Sequence, residues 1–127
     1  MTTARRARDG GQAAVELALA LPFVALLLLL VVQVGLVVRA QVLVIHGARE
    51  GARAAAVDAA DGAAREAVLA GTDLDSSRLT VEVTGRDGPG SRVTVEVRYR
   101  MPTAVPMVGA LVGDVTLTGR AAMRVET

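Results

Sequence analysis

The feature that most constrains this chain is an uncharged apolar run from Leu17 to Val38, LALALPFVALLLLLVVQVGLVV. As a helix rising about 1.5 Å per residue, the run would span about 33 Å, slightly more than a bilayer's hydrocarbon core of about 30 Å. Gln33 is its one strongly polar side chain, and Pro22 would kink a helix in a way that membrane helices tolerate. A buried helix of a soluble protein is the alternative, but the rest of a 127-residue chain is too short to enclose it. We therefore predict a transmembrane helix.

The charges that flank this run predict its orientation. Arg5, Arg6 and Arg8 precede it closely and Arg39 follows it, which places the N-terminus in the cytoplasm and the C-terminal region outside. A cleavable secretory signal is the competing interpretation. Against it, the run exceeds the usual length of about 7–15 residues, has Glu16 just before it, and ends without a clear A-x-A site. We expect a single-pass anchor in the cell membrane.

Beyond Arg39 the pattern remains helical. Residues 47–66 form the tetrads GARE, GARA, AAVD, AADG and AARE, in which small residues recur at the first two positions. Residues four apart stack along one side of a helix, so Gly47, Gly51 and Ala55 are predicted helix-packing residues that let another backbone or a sheet approach closely. The alternative is that the repeat reflects Ala-rich composition with high helix propensity. We predict that the helix continues over residues 39–70 and ends near Gly71 or the Thr72-Asp73 pair.

The remaining residues, 71–127, alternate between apolar and polar side chains with a period of two. Three such stretches, at residues 79–84, 93–100 and 115–125, are separated by the turn sequence GRDGPGS and by a loop containing Pro and Gly at residues 101–113. Each stretch is apolar on one face, which predicts a small antiparallel sheet whose apolar face packs on another element. The expected fold is an α+β membrane protein, in which a long N-terminal helix packs on about three antiparallel strands.

Residues that would support catalysis are scarce. The chain has no cysteine and a single histidine, His46, so neither a thiolate nor a paired metal site is predicted. GRDGPG lacks a following GK[ST] and lies between strands, which indicates a hairpin rather than a phosphate-binding loop. The net charge of +1 gives no electrostatic reason to expect nucleic acid. We predict no enzyme activity, cofactor, metal or small-molecule substrate.

Glu16 is the unusual residue, because a carboxylate at the edge of a membrane helix is costly unless it is paired or reaches water. Reaching the headgroups is the simple explanation. The order of the sequence suggests a second: a basic leader, then Gly10-Gly11, then QAAVE running into the apolar helix. If a peptidase cut after Gly11, Gln12 would carry a new α-amine, and Glu16 of one chain could pair with the amine of a neighbouring chain. Glu16 would then set the register of an assembly.

Gly11 followed by four residues and a glutamate, ahead of a long apolar helix, is similar to the processing site of type IV prepilins. The longer pattern resembles the TadE-like family of tight-adherence (Flp) pilus biogenesis, and it consists of GQAAVELALALP, VQVGL, HGAREGARAAA and AMRVE, at residues 11–22, 32–36, 46–56 and 122–126. The resemblance implies a minor pilin or pseudopilin, trimmed between Gly11 and Gln12 by a prepilin peptidase, with Glu16 as the recognition and assembly residue. It also implies as partners the lipid bilayer, other pilin or pseudopilin subunits and the tight-adherence secretion machinery.

This resemblance divides the chain into a basic prepilin-type leader at residues 1–11, a transmembrane helix at 12–38, its extracytoplasmic continuation at 39–70 and the sheet region at 71–127. One departure concerns Gln12, since many prepilins begin their mature chain with an aromatic residue or Met. An N-terminal glutamine can cyclise, which would abolish the amine that is expected to pair with Glu16. The alternative function is an uncleaved single-pass anchor that displays a small protein-binding sheet domain.

Overall fold

The fold begins with one long helix, α1, which extends over Thr3–Val57 and contains Pro22. The structure, a computed structural model, describes residues 3–103, 105 and 107–126, and the side chains from Gly10 onward within these ranges. The side chains of the three leader arginines in the orientation prediction therefore lie outside the described residues. α1 contains the predicted membrane span and continues beyond it to Val57.

Burial divides α1 into two parts. Between Gly10 and Val32 the side chains are exposed, apart from a half-buried Leu29. Gln33 is buried, Leu36 and Val37 are half-buried, and from Ala40 onward one side of the helix is buried at intervals of three or four residues, at Ala40, Val44, Ala48, Ala52 and Ala55. Within the described residues, α1 is the one helix that is long and apolar enough to cross a membrane. Its exposed N-terminal part contains most of the predicted span, and its C-terminal part, from Gln33 onward, belongs to the folded region.

The helical region differs from the prediction of one helix continuing to residue 70, because α1 ends at Val57 and a second helix, α2, extends over Ala63–Gly71. In the intervening turn, the Ala60 backbone N–H donates to the Asp58 carboxylate at 2.8 Å. Asp side chains favour such turns because they compete with helical backbone hydrogen bonds. Gly62 then adopts a left-handed φ of 98°, which reverses the chain so that α2 packs back against α1.

Three antiparallel strands follow, with β1 at Leu79–Thr84, β2 at Arg92–Met101 and β3 at Val115–Arg124. The order in the sheet is β1-β2-β3. Val97 lies opposite both Val81 and Gly119, which places these three residues on the same face. A short helix, α3, at Gly109–Val112 lies in the connection between β2 and β3. The three strands confirm the sheet predicted from the period-two alternation.

The apolar face of the sheet packs on the C-terminal half of α1. Val93, Val95 and Val97 of β2 are fully buried there, together with Val44 of α1 and Val68 of α2. This core contains alanine and valine rather than aromatic residues, so α1 and the sheet approach each other closely. The predicted fold class, a long N-terminal helix packed on a three-stranded antiparallel sheet, is confirmed.

Candidate functional site

The first part of the candidate site is the segment from Gly10 to Glu16, which lies on α1 just before the apolar run. Its residues are exposed, so a peptidase or a neighbouring chain could reach them. The side-chain amide of Gln12 donates to the Glu16 carboxylate across one helical turn at 3.4 Å, a long hydrogen bond. Glu16 thus has a weak local partner, and both its carboxylate and Gln12 face outward.

The two glycines of this segment have no role in the fold of a single chain. A Cβ built at Gly10 or Gly11 would meet nothing within 4 Å, and neither residue has the positive φ that favours glycine. Glycine inside a helix is less favourable than alanine by about 1 kcal/mol. The pair therefore weakens the helix locally without any packing benefit inside the chain, so a requirement outside the chain's own fold can account for glycine here.

The predicted helix-packing residues lie at the opposite end of α1, and the structure brings them together in one buried face. A Cβ built at Gly47 would lie 3.0 Å from a methyl carbon of Val68, and one at Gly51 would be equally close to that side chain and 3.1 Å from Val95. Ala55 is 3% exposed on the same face. The neighbours of Gly47 and Gly51 are α2 and β2 of the same chain, about 30 residues beyond Glu16 and far from the Gly10–Glu16 segment.

Both features overlap with one stretch of the chain that matches a known family, although Gly10 and Ala55 lie just outside it. Residues 11–53 match the model of the TadE-like protein family. The resemblance drawn from the sequence motifs is confirmed over these residues, here called the TadE-like segment. The match starts at Gly11 and includes Glu16, the whole apolar run, Gly47 and Gly51, and it covers about a third of the chain, without the sheet. No curated protein and no solved structure matches the chain.

The sheet contacts the TadE-like segment through a glycine that the sequence analysis did not single out. A Cβ built at Gly119 of β3 would lie 2.8 Å from the backbone oxygen of Val44 and 3.0 Å from a methyl carbon of its side chain. Nearby, the Gln41 side-chain amide donates to the carbonyl oxygen of Thr118 at 3.1 Å. The signal in the sequence was a glycine at an inward position of an otherwise apolar alternation, which is typical of close backbone approach.

The outer face of the sheet carries a charge cluster that sequence reasoning also missed. Glu96 of β2 lies between Arg98 and Arg120, and both guanidinium groups donate to its carboxylate. Arg98 also lies 4.0 Å from Glu82, which faces Glu96 across the strand pair. The hydrogen bonds from Arg120 and then Arg98 hold the pKa of Glu96 below its usual range, because they stabilise the ionised form. The contact with Glu96 raises the pKa of Arg120.

The other titratable groups form no metal-binding cluster of three or more His, Asp or Glu side chains within the part of the chain that the structure describes. His46 is exposed on α1. The Glu96 cluster holds its carboxylate ionised between two fixed cations. Such an arrangement favours cross-strand pairing rather than proton transfer.

Proposed function

We propose that this protein is a TadE-like minor pilin or pseudopilin, a membrane-anchored structural subunit in the assembly of a tight-adherence (Flp-type) pilus or a related secretion system. The family match over residues 11–53 and the single long apolar helix support this function. α1 crosses the cell membrane through residues 17–38, with the N-terminus in the cytoplasm and the sheet on the outer side. The protein contributes binding surfaces and works without catalysis of its own.

The observation that carries the proposal is the geometry of the Gly10–Glu16 segment. It is exposed, it contains two helical glycines that the fold does not need, and it precedes the apolar run directly. A prepilin peptidase cleaves between Gly11 and Gln12, where the glycines lower the cost of opening the helix into an extended substrate. Residues 1–11 are the leader that is removed.

After cleavage, Glu16 is the assembly residue. Its carboxylate lies at the edge of the apolar run, where the side chains described from Gly10 onward supply one hydrogen-bond donor, the long contact from Gln12. A carboxylate in this position becomes favourable when a cation from another chain pairs with it. The new α-amine of Gln12 in a neighbouring pilin or pseudopilin subunit supplies that cation. The secretion machinery brings the subunits together in the bilayer.

The experiment compares two substitutions that are matched in chemistry and surroundings, Gly11→Ala and Gly10→Ala. A Cβ has free space at both positions, so neither variant disturbs the fold. With the native prepilin peptidase present, Gly11→Ala should remain full-length and Gly10→Ala should be processed, as judged by the intact mass of the membrane-extracted protein.

Normal trimming of the Gly11→Ala protein would refute the cleavage site. If the unsubstituted chain also stays full-length beside an active peptidase, the chain functions instead as an uncleaved anchor, and Glu16 is an interfacial side chain. In that case Glu16→Ala should leave localisation unchanged, whereas an assembly role predicts that Glu16→Ala reaches the membrane but is lost from the assembled pilus fraction.

A further inference from the structure

The connection between β2 and β3 presents apolar side chains to the surroundings. Residues 102–113, here called the apolar loop, contain no Asp, Glu, Lys, Arg or His. Among their described members, Met107, Leu111 and Val112 are 74%, 78% and 54% exposed. Charged residues return immediately on both sides, at Arg100 and Asp114. Large apolar side chains clustered on an exposed loop indicate a surface that is covered by a partner or by lipid.

The register of β3 on α1 shows where the apolar loop lies along the axis of α1. Gly119 lies against Val44, and the backbone N–H of Glu126 donates to the carbonyl oxygen of Ala56 at 3.0 Å. β3 and α1 therefore run in the same direction, with a residue of the strand advancing about twice as far as a residue of the helix. The start of β3 at Val115 is then level with roughly residue 37 of α1.

Two further observations place the apolar loop beside the apolar run of α1. Met101 and Pro102, where the loop begins, line a shallow groove with Leu36 and Arg39. One turn before Leu36 on α1, Gln33 is 5% exposed, although the side chains of residues 10–32 are exposed apart from the half-buried Leu29. Val105 and Val108 of the loop are also buried. The register of β3 places the apolar loop next to this part of α1. The folded region therefore extends past Val38 to the last residues of the predicted span.

We infer that the apolar loop is a second membrane contact, which inserts Met107, Leu111 and Val112 into the outer interface of the bilayer that α1 crosses. The occupant is lipid because the loop continues the apolar surface of the spanning helix at the same level. Insertion of such side chains is favourable because it removes apolar area from water. The loop then fixes how the sheet sits on the membrane. This inference rests on the membrane anchor of the proposed function and is independent of cleavage.

The test uses the absence of cysteine in the chain, which makes every introduced cysteine a unique labelling site. Leu111→Cys and Met107→Cys are labelled with an environment-sensitive NBD fluorophore in the full chain, reconstituted into phosphatidylcholine–phosphatidylglycerol vesicles that contain doxyl-labelled lipid. Both side chains are exposed, so the substitutions spare the core. Asp87→Cys, in the exposed β1–β2 turn at the opposite end of the sheet, is the control outside the bilayer. Leu27→Cys, 60% exposed in the span, is the control inside it.

Labels at residues 107 and 111 should be quenched by the doxyl lipid several-fold more than the label at residue 87, and they should be protected from aqueous iodide. Iodide access equal to that at residue 87 would overturn the inference. Protection from iodide without lipid quenching would also overturn it, since a second copy or another protein would then cover the loop. If the label at residue 27 is also unquenched, the proposed membrane anchor is wrong, and the proposed contact of the loop with the bilayer is wrong as well.

Discussion

Glu96 and Glu16 differ in whether the carboxylate has charged partners within the same chain, and this difference determines the role of each residue. Glu96 is held between Arg98 and Arg120 on the outer face of the sheet, so its charge is satisfied in a single molecule. Glu16 has one long hydrogen bond from Gln12 and lies at the start of an apolar helix. The first carboxylate therefore acts on the stability of the sheet, and the second is available to another chain.

The pairing of Glu96 predicts a pH dependence of stability. Its pKa is lowered in the folded protein, so its contribution is fully present above the ordinary glutamate pKa of about 4.3 and is lost as the pH falls through the folded value. Glu96→Gln should therefore lower the thermal unfolding midpoint at pH 7, and the difference from the unsubstituted protein should shrink as the pH falls below about 4. Circular dichroism melts in detergent across this pH range measure both midpoints.

The matched control for this prediction is Glu82→Gln. Glu82 lies directly opposite Glu96 on the same face, and its distance to Arg98 is 4.0 Å. Its substitution removes the same charge and relieves the same repulsion between the two carboxylates, but it loses the 4.0 Å contact with Arg98 instead of the two close contacts that Glu96 makes with Arg98 and Arg120. The Glu82→Gln protein should lose less stability than the Glu96→Gln protein. Equal losses, or a Glu96 effect that persists unchanged at low pH, would contradict the role given to the cluster.

Among the elements, α1 combines two environments in one continuous helix. The side chains of its N-terminal part are exposed, whereas its C-terminal part has a face of small side chains on which α2 and the sheet pack. Close packing there depends on residues that lack side-chain bulk, because the core otherwise consists mainly of valine and alanine. The approach of β3 to α1 at Gly119 is the tightest of these contacts.

The contact at Gly119 predicts that Gly119→Ala is destabilising. The new Cβ would lie 2.8 Å from the backbone oxygen of Val44, and a backbone atom cannot move aside as a flexible side chain does. Overpacking of this kind costs typically about 1–3 kcal/mol, so the thermal unfolding midpoint should fall clearly. Gly35→Ala is the matched control on α1, since a Cβ there meets nothing within 4 Å, and it should be neutral or slightly stabilising. A Gly119→Ala midpoint equal to that of Gly35→Ala would contradict the close approach.

Much of this element structure could be predicted from the sequence. The alternation of Val93, Val95 and Val97 indicates a half-buried strand, and the uncharged run in α1 indicates a membrane helix. The break at residues 58–62 was missed, because the tetrads continue through it and Ala-rich sequence favours helix on both sides. The Asp58 turn and the left-handed Gly62 were the local signals for it.

At the candidate site, the spacing of Gly11 and Glu16 before the apolar run predicts them as site residues, and this remains a prediction, whereas the tertiary contacts could not be predicted in that way. Gly119 approaches Val44 across about 75 residues of chain, and the Glu96 cluster depends on the register of β2 with β3. Local patterns do not specify which residues face each other across a sheet.

As a whole molecule, the protein is a small sheet held on one half of a helix whose other half is left bare. The folded region covers α1 from about Gln33 to Ala56 and leaves residues 10–32, which include most of the predicted span, free for lipid or for other subunits. The Gly10–Glu16 segment lies at the far end of that bare half, away from the sheet. The molecule thus separates a folded C-terminal part from an exposed N-terminal part, which is where the proposed processing and assembly would take place.

The most direct measurement of the central claim is the intact mass of the unsubstituted protein, extracted from membranes after expression with its native secretion genes. Processing between Gly11 and Gln12 predicts a chain that starts at Gln12, with or without the loss of ammonia that accompanies cyclisation of an N-terminal glutamine. A chain that retains residues 1–11 in the presence of an active prepilin peptidase would contradict the claim, and the protein would then be a plain membrane anchor.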